Sequence, residues 1–379
     1  MRKRGEKNMG HLTFSRTAYT GAKSALTEKG KSSTARGEQK VKETGKLDPL
    51  VDPAEFGVVR ESRIRFEEQS GGLFKVNVGT PVPIEYRLDT TGSMGSNVEG
   101  ALKALPSICE LTSSVLPGRD PHYCASIFGD ICDQFILCRG QFEMLADRMV
   151  NQLTLMHPEG QGGDTPEAPY YGIFGATYLT RAYIQHIGMK SFDFTITDAP
   201  GRDTLVIDHL KRVFGPQVLE KAKENGHQMN PRDLPSVHEM VQDLRKRVHP
   251  FALLVGTGAE SYWRKLYGKE HIVILPVIEY VPHVMAVIIG LSEGTLDLQS
   301  AVDFLTSSNL QKADARNVVD AVSGIPLGAQ RALPNFKRMP NGGDLFAAKT
   351  DLWPIDPSKA PATSKKQKTD ETKPSGGWL

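Results

Sequence analysis

The chain has 379 residues, of which 39% are apolar and 24% are charged, and its formal net charge at pH 7 is +2. These values are typical of a soluble globular protein, and the length fits one large domain or two ordinary ones plus tails. A net charge this close to zero argues against a protein that binds nucleic acid through its overall charge. The cysteines stand at 109, 124, 132 and 138 with no C-x-x-C pair, so we expect reduced thiols in a cytoplasmic protein rather than a zinc site.

The two ends of the chain have compositions typical of disorder. Residues 1–55 are rich in Lys, Arg, Ser, Thr and Gly and show no apolar period, so we predict a disordered basic tail. The first ten residues, MRKRGEKNMG, are followed by no apolar core, which argues against a signal peptide. Residues 356–379 predict a second disordered tail.

Apolar patterning between the tails predicts strands that alternate with helices. The segments that predict strands are, in chain order, FKVNV, IEYRLD ending at Asp89, HYCASIFGD, QFILC, FDFTITD ending at Asp198, PFALLVG and HIVILP. Helical spacing covers 96–116, 142–156, 165–184, 205–214 and 236–248. This alternation predicts the α/β class, with a doubly wound, mostly parallel, Rossmann-like sheet covered by helices on both sides. We place the domain at 56–300, with its core at roughly 75–295, and expect a helical or irregular extension at 301–355.

Three local patterns refine this picture. Ser96 and Glu99 form an S-x-x-E capping box at the start of the first predicted helix, and Pro106 should kink that helix. Residues 272–291 are apolar over a length that could span a membrane. Because this stretch contains two prolines, a Glu and a His, we predict a buried strand followed by a buried helix, and no membrane association.

Three loops carry oxygen-bearing side chains at the ends of predicted elements. In the first loop, Asp89, Thr91 and Ser93 stand at alternate positions, so their side chains can converge on one point. The second loop contains Asp164 and Thr165 after two glycines, and the third contains Asp198 at a strand end. In a parallel sheet, ligands bind beyond the carboxyl ends of the strands, where we expect these loops to meet.

Oxygen-only ligands suit hard cations, so this set predicts Mg²⁺, or else Mn²⁺ or Ca²⁺. Three close carboxylates would repel one another unless a cation neutralised them. Hydroxyl ligands are neutral, so the cation would keep part of its charge. We therefore expect it to accept one more carboxylate, supplied by a partner protein.

The motifs DTTGSMG, GGDTPEA and TDAPG, in this order, resemble the metal-ion-dependent adhesion site of von Willebrand factor A (vWA) domains of the bacterial type. The resemblance covers roughly residues 75–295, the predicted core. It implies that Thr91 and Ser93 ligate the metal directly, while Asp89 and Asp198 usually act through water. From the middle loop it implies Asp164, with Thr165 as second choice, although Thr165 could equally cap a helix.

The same resemblance implies a binding module without catalytic machinery, and therefore not an enzyme. Intracellular members of the family often assist AAA+ ATPases or belong to stress and defence systems, which makes an AAA+ ATPase one expected class of partner. The chain contains no G-x-x-x-x-G-K-S/T, so any ATPase would be a separate protein.

Two alternative functions stay open at this point. Asp89 could be the nucleophile of a Mg²⁺-dependent phosphotransferase of the haloacid-dehalogenase type, but that class needs a second acid where this chain has Thr91. The basic tail could bind nucleic acid, with an affinity that falls steeply with salt.

Charged residues in and beside the predicted strands lead to further predictions. Arg87 lies in a predicted strand that also contains Glu85, and Asp193 lies in a second predicted strand. The resemblance implies that these two strands are neighbours, so we predict that Arg87 and Asp193 pair, because an unpaired buried charge is costly. Glu167 is interpreted as an acid of the first helical turn rather than a ligand. Asp130 and Asp133 stand at another predicted strand end near the candidate site, where support of that site is one interpretation, and we favour a solvated loop.

Overall fold

The computed structural model describes residues 34–60, 66–69, 73–76, 80–144, 146–160, 166–182, 184–185 and 189–330. The strands within these ranges are β1 (Val59–Arg60), β2 (Phe66–Gln69), β3 (Leu73–Val76), β4 (Thr80–Asp89), β5 (Arg119–Phe128), β6 (Leu137–Arg139), β7 (Thr180–Arg181), β8 (Ser191–Thr197), β9 (Val248–Leu254) and β10 (Ile272–Ile274). The helices are α1 (Ala35–Thr44), α2 (Asn97–Ala104), α3 (Ile108–Val115), α4 (Ala146–Leu155), α5 (Tyr170–Tyr178), α6 (Ile207–Phe214), α7 (Val218–Glu224), α8 (Val237–Arg247), α9 (Glu260–Tyr267), α10 (Val281–Glu293), α11 (Leu298–Ser307) and α12 (Lys312–Ala321).

A central sheet of six strands has the order β10-β9-β8-β4-β5-β6. All neighbours run parallel except β6, which is antiparallel to β5. The predicted doubly wound, mostly parallel sheet is therefore confirmed. After β4, the strands β5 and β6 are added on one side of it, and β8, β9 and β10 are then added on its other side. The direction in which strands are added therefore reverses between β4 and β8. At such a reversal the loops after the neighbouring strands diverge and leave a crevice for ligands.

Apolar helices cover both faces of this sheet. Alternate residues of β4, among them Ile84 and Leu88, join one buried cluster with α2, α3, α4, α10, α11 and α12. On the other face, Ala252 and Leu254 of β9 join a second cluster with α5 to α9, in which Trp263 is fully buried. Strand residues alternate between the two clusters, as the two-residue period of a strand requires.

Buried charges occupy the centre of the second face. Arg87 Nη1 and Nη2 donate to Asp193 Oδ1 and Oδ2 at 2.6 and 2.5 Å, which confirms the predicted pair. Arg139 on β6 donates through Nε and Nη2 to Glu85, both at 2.8 Å. Burial opposes ionisation of Glu85, but Arg139 and Arg87 outweigh it and lower the pKa of this carboxyl. The four charges sum to zero, and the Arg87–Asp193 pair ties β4 to β8 beside the reversal point.

Helix α5 lies directly on this charged row because a glycine permits the approach. A Cβ added at Gly172 would lie 2.7 Å from Arg87 Nε and 3.0 Å from Arg87 Cδ. The Gly172 carbonyl also accepts from Arg87 Nη2 at 3.5 Å. Any larger residue at position 172 would push the helix away from the sheet.

The prediction that residues 1–55 are disordered is wrong from Thr34 onward. Helix α1 packs so closely that a Cβ at Gly37 would lie 2.1 Å from the Met156 carbonyl oxygen. Leu47 and Val51 follow it into the first buried cluster. The composition gave no signal for this segment, because its contacts are with distant residues: Arg36 donates to Asn151 and Thr154 as well. Residues 1–33 lie outside the described part of the chain.

The predicted domain boundary at residue 300 is also wrong, because α11 runs through it. Ala301 and Leu305 of α11, and Val318 of α12, belong to the first buried cluster. The ordered domain therefore continues through these two helices to residue 330. The rest of the predicted extension and the predicted tail at 356–379 lie outside the described residues.

Three local predictions have mixed outcomes. Pro106 lies in a short 3-10 turn, Leu105–Ser107, that separates α2 from α3, as the predicted kink requires. Ser96 makes no side-chain capping hydrogen bond, so the predicted capping box does not form. Helix α5 begins at Tyr170, after Pro169, and so starts later than the sequence pattern predicts.

The predicted strand and helix within residues 272–291 are confirmed as β10 and α10. Of the helices that the structure describes, none combines the length and apolar character needed to cross a membrane. The predicted FKVNV strand forms β3, which pairs antiparallel with β2 outside the central sheet. The four cysteines are free thiols, three of them buried and Cys132 exposed.

Candidate metal site

The first loop begins at Asp89, the last residue of β4, whose carboxylate is fully buried and fixed by three hydrogen bonds. Its Oδ1 accepts from the Thr91 amide at 2.9 Å and from Thr91 Oγ1 at 2.6 Å. Its Oδ2 accepts from Thr197 Oγ1 at 2.5 Å. Because Thr197 ends β8, this contact spans the reversal point and joins the first loop to the third.

A hydroxyl and a carboxylate meet at the outer side of this arrangement. Ser93 Oγ donates to Asp198 Oδ1 at 2.9 Å and lies 3.3 Å from Thr91 Oγ1. Ser93 is exposed, and Asp198 is half-buried. The structure thus brings the side chains of Asp89, Thr91, Ser93 and Asp198 together, from the buried strand end to the surface.

The middle loop is described only at its two ends. Asp164 and Thr165 lie outside the described residues, so their role as ligands stays a prediction. On one side of them, Gly160 passes close to the first loop, since a Cβ at Gly92 would lie 3.4 Å from the Gly160 carbonyl oxygen. On the other side, the chain returns at Glu167, which lies within the site.

Glu167 lies outside the first helical turn, where the sequence interpretation placed it. It precedes α5 and is only 4% exposed. Its amide donates to the Pro200 carbonyl at 3.0 Å, which binds it to the third loop. Its Oε2 is buried with no hydrogen-bond partner among the described residues. Burial, reinforced by Asp89 and Asp130, raises the pKa of Glu167 to about 8.

Asp130 is also placed differently from the prediction of a solvated loop. It is 1% exposed and accepts from Arg202 Nη2 through both carboxylate oxygens at 3.0 Å. Asp133 is 3% exposed and its Oδ2 accepts from the Asp130 amide at 2.7 Å. Both acids are buried, Asp130 acts electrostatically on Glu167, and Arg202 connects Asp130 to the third loop. The strand end FGD was the only sequence signal for this placement.

The electrostatics of the site favour a cation. Burial raises the pKa of Asp89 to about 6, an effect that Asp198 increases and that the bonds from Thr197 and Thr91 oppose. A buried carboxyl that hydrogen-bonds as an anion, next to a second carboxyl with one buried oxygen unpartnered among the described residues, gains from a nearby positive charge. The oxygen donors match the ligands that hard divalent cations take.

Hydroxyls are an essential part of this donor set. Among the residues that the structure describes, no three His, Cys, Asp or Glu side chains are placed to hold a metal ion together. The oxygens that the structure brings beside Asp89 and Asp198 are the hydroxyls of Thr91 and Ser93.

No protein-family model matches the chain, and no curated protein matches it. Solved structures of proximal thread matrix protein 1 (PTMP1) from the mussel byssus are similar over 56% of this chain, with TM-scores of 0.37, 0.38 and 0.36 and identities of 13%, 15% and 14%. One of these PTMP1 structures is described as having zinc in its MIDAS motif, the metal-ion-dependent adhesion site. The chain matches only 46% of the length of these proteins. Similarity at this level establishes neither a shared family nor a shared function.

Proposed function

We propose that this chain is a vWA-type interaction module that holds one divalent cation and uses it to bind a carboxylate of a partner protein. The observation that carries the proposal is the convergence of Asp89, Thr91, Ser93 and Asp198, from two loops at the reversal point of a doubly wound sheet. Open α/β sheets bind ligands at this position.

Each described residue has a distinct part in the proposed site. Thr197 holds one oxygen of Asp89, so the buried acid keeps its orientation. Thr91 and Ser93 add neutral oxygens, which leave positive charge on the ion. Ser93 is exposed, so the ion would be accessible from solvent on that side. When bound, the cation supplies a Lewis-acidic position that a carboxylate from outside can complete.

The middle loop completes the proposed donor set. Its two described ends, Gly160 and Glu167, both lie beside the first loop or its partners, which supports Asp164 as a further ligand and keeps Thr165 as an alternative. Glu167 adds a buried oxygen without a partner among the described residues, which sequence reasoning had not included. Mg²⁺ remains the expected ion. The additional carboxylate also suits Ca²⁺, which takes more oxygen ligands than Mg²⁺ does.

The phosphotransferase alternative is not favoured by the position of Asp89. A nucleophilic carboxylate must present one oxygen to its substrate, but Asp89 is fully buried and both of its oxygens accept hydrogen bonds. We therefore propose a binding function and no enzymatic one. The proposed setting is the cytoplasm, and a separate AAA+ ATPase is one proposed class of partner.

Cation binding can be tested before any partner is known. Isothermal titration with Mg²⁺, Mn²⁺ and Ca²⁺ should show one site in the wild type. Asp89→Ala and Ser93→Ala should weaken it by roughly 10–100-fold. Ser96→Ala is the matched control, because Ser96 lies in the same segment and makes no side-chain capping bond.

Partner binding is the second stage of the test. The full chain should retain a protein partner from a lysate in Mg²⁺ and lose it in EDTA, and the Ser93→Ala variant should behave in Mg²⁺ as the wild type does in EDTA. A partner that stays bound in EDTA, and also binds the Asp89→Ala and Ser93→Ala variants, would show that the cation does not contact the partner.

A further inference from the structure

The peptide that follows Asp198 in the third loop is held on both of its sides. The Ala199 amide donates to Thr197 Oγ1 at 3.1 Å, and the Ala199 carbonyl accepts from Trp263 Nε1 at 3.0 Å. Thr197 Oγ1 in turn donates to Asp89 Oδ2 at 2.5 Å. The residue before Asp198 is therefore tied to the end of β4, and the residue after it is tied to helix α9.

The Ala199 carbonyl depends on the indole of Trp263 for its hydrogen bond. Thr197 Oγ1 also lies 3.3 Å from this carbonyl oxygen. A hydroxyl has a single proton, and the shorter bond to Asp89 uses it, so Trp263 is the donor that the carbonyl keeps. Because Ala199 is buried, loss of the indole N–H should leave this carbonyl without a donor and away from water, which is costly.

The indole itself is held firmly in place. Trp263 is fully buried within the second cluster, where α9 packs on the sheet. Its ring meets Tyr262 edge to face, with centroids 5.3 Å apart, and meets Tyr267 in the same way at 5.1 Å. Such aromatic contacts add to the stabilisation that burial gives. The N–H that reaches the third loop therefore comes from a rigid support.

Helix α9 touches the third loop at a second point. A Cβ added at Gly201 would lie 2.8 Å from Tyr262 Oη and 3.0 Å from Pro169 Cγ. The loop thus passes between α9 and the residues that precede α5, with no room for a side chain at position 201. On the α5 side, the Arg202 amide donates to the Glu167 carbonyl at 2.9 Å, which closes this arrangement.

We propose that Trp263 is a positioning residue that fixes the third loop and thereby holds Asp198 beside Ser93 in the candidate metal site. Its consequence for cation affinity rests on the proposed function. Groups that orient metal ligands commonly affect affinity almost as strongly as the ligands do, because a ligand that must be ordered on binding loses free energy. Trp263 touches neither Asp198 nor the cation position in this proposal, and acts through the Ala199 peptide.

The first test needs no cation. Trp263→Phe keeps an aromatic ring but removes the N–H, so in EDTA the segment 197–203 should exchange its amide hydrogens about 10-fold faster than in the wild type. Exchange is followed by mass spectrometry on the full chain, with peptides from β9 as the internal reference. Leu266→Ala is the matched control, because Leu266 is a buried residue of the same helix and belongs to the same apolar cluster. It should not change the exchange of 197–203 relative to β9.

The second test measures Mg²⁺ affinity by isothermal titration. Trp263→Phe should weaken binding by roughly 10-fold, whereas Leu266→Ala should bind as the wild type does. Asp198→Ala should also weaken binding. The double variant Trp263→Phe/Asp198→Ala should bind no more weakly than Asp198→Ala alone, because Trp263 acts through Asp198.

The outcomes separate this inference from the proposed function. Unchanged exchange of 197–203 in Trp263→Phe would overturn the positioning role, whatever the cation does. So would wild-type Mg²⁺ affinity in that variant, or losses that simply add in the double variant. A wild type that binds no divalent cation would instead end the proposed function, and faster exchange in Trp263→Phe would still establish that the indole fixes the loop.

Discussion

Arg87 and Asp193 form an ion pair whose side chains are 0% and 1% exposed, so removal of either partner should leave a buried charge without compensation. Asp193→Asn keeps the shape of the side chain but removes its charge, and Arg87→Met removes the guanidinium. Together with Glu85 and Arg139 the native charges sum to zero, so each single substitution leaves one net charge in the sheet.

The expected loss follows from the cost of breaking a buried pair. Each single substitution should lower the free energy of unfolding by about 3–5 kcal/mol. For a domain of this size, such a loss corresponds to a fall in Tm of roughly 6–20 °C. The double variant Arg87→Met/Asp193→Asn restores neutrality, and Glu85 keeps both of its bonds from Arg139. It should therefore lose at least about 2 kcal/mol less than the sum of the two single losses.

Urea unfolding followed by circular dichroism on the four proteins gives the coupling free energy directly. The control is the exposed pair of Arg264 and Glu260, for which the same cycle should give a coupling below about 1 kcal/mol. Additive losses in the buried cycle, or single variants as stable as the wild type, would show that the charges are not held as the structure places them.

Three further predictions concern other parts of the molecule. Glu167→Gln removes a buried carboxyl whose pKa burial raises to about 8, so it should raise Tm in EDTA and reduce the extra stabilisation that Mg²⁺ gives, as scanning fluorimetry would show. Gly172→Ala should cost about 1–3 kcal/mol in urea unfolding, because its Cβ would lie 2.7 Å from Arg87 Nε, whereas Gly258→Ala, which meets nothing within 4 Å, should cost less than about 1 kcal/mol. Burial lowers the pKa of His122 from 6.5 to about 3. Between these two pH values the unfolded chain binds a proton that the folded chain does not, so the free energy of unfolding falls as the pH decreases. The His122→Asn variant should therefore show a smaller fall in the urea midpoint over this pH range.

A specific result would contradict each of these three predictions. A lower Tm of Glu167→Gln in EDTA would show that the hydrogen bond between Glu167 and Thr91 outweighs the cost of burying the carboxyl. Equal losses for the two glycine variants would contradict the close approach of α5 to the sheet. An unchanged pH profile for His122→Asn would assign acid sensitivity to other buried groups.

The strands could be predicted because their signals are local. A two-residue apolar period and the acids at strand ends depend only on neighbouring residues, and they predicted the strands that end at Asp89 and beside Asp198. The pairing of Arg87 with Asp193 was predicted from the strand order that the family resemblance implies, together with the cost of an unpaired buried charge.

The segments that were misjudged depend on contacts between distant residues. Helix α1 carries a weak apolar signal, and it is ordered because Gly37 fits against the end of α4. Glu167 was interpreted from its position before a helix, but its backbone bond to Pro200 carries it into the site. A sequence records neither contact, because each depends on how two remote parts of the chain pack together.

The sequence by itself determined the α/β class, the positions of the strand ends and the D-x-T-x-S spacing that aligns oxygens on one side of a loop, because these follow from local backbone periodicity. Only the tertiary structure decided that Asp130 and Glu167 are buried beside the candidate metal site and that Trp263 donates to the third loop. Their surroundings are set by how the helices pack on the sheet, and that packing alone determines which polar groups are withdrawn from water.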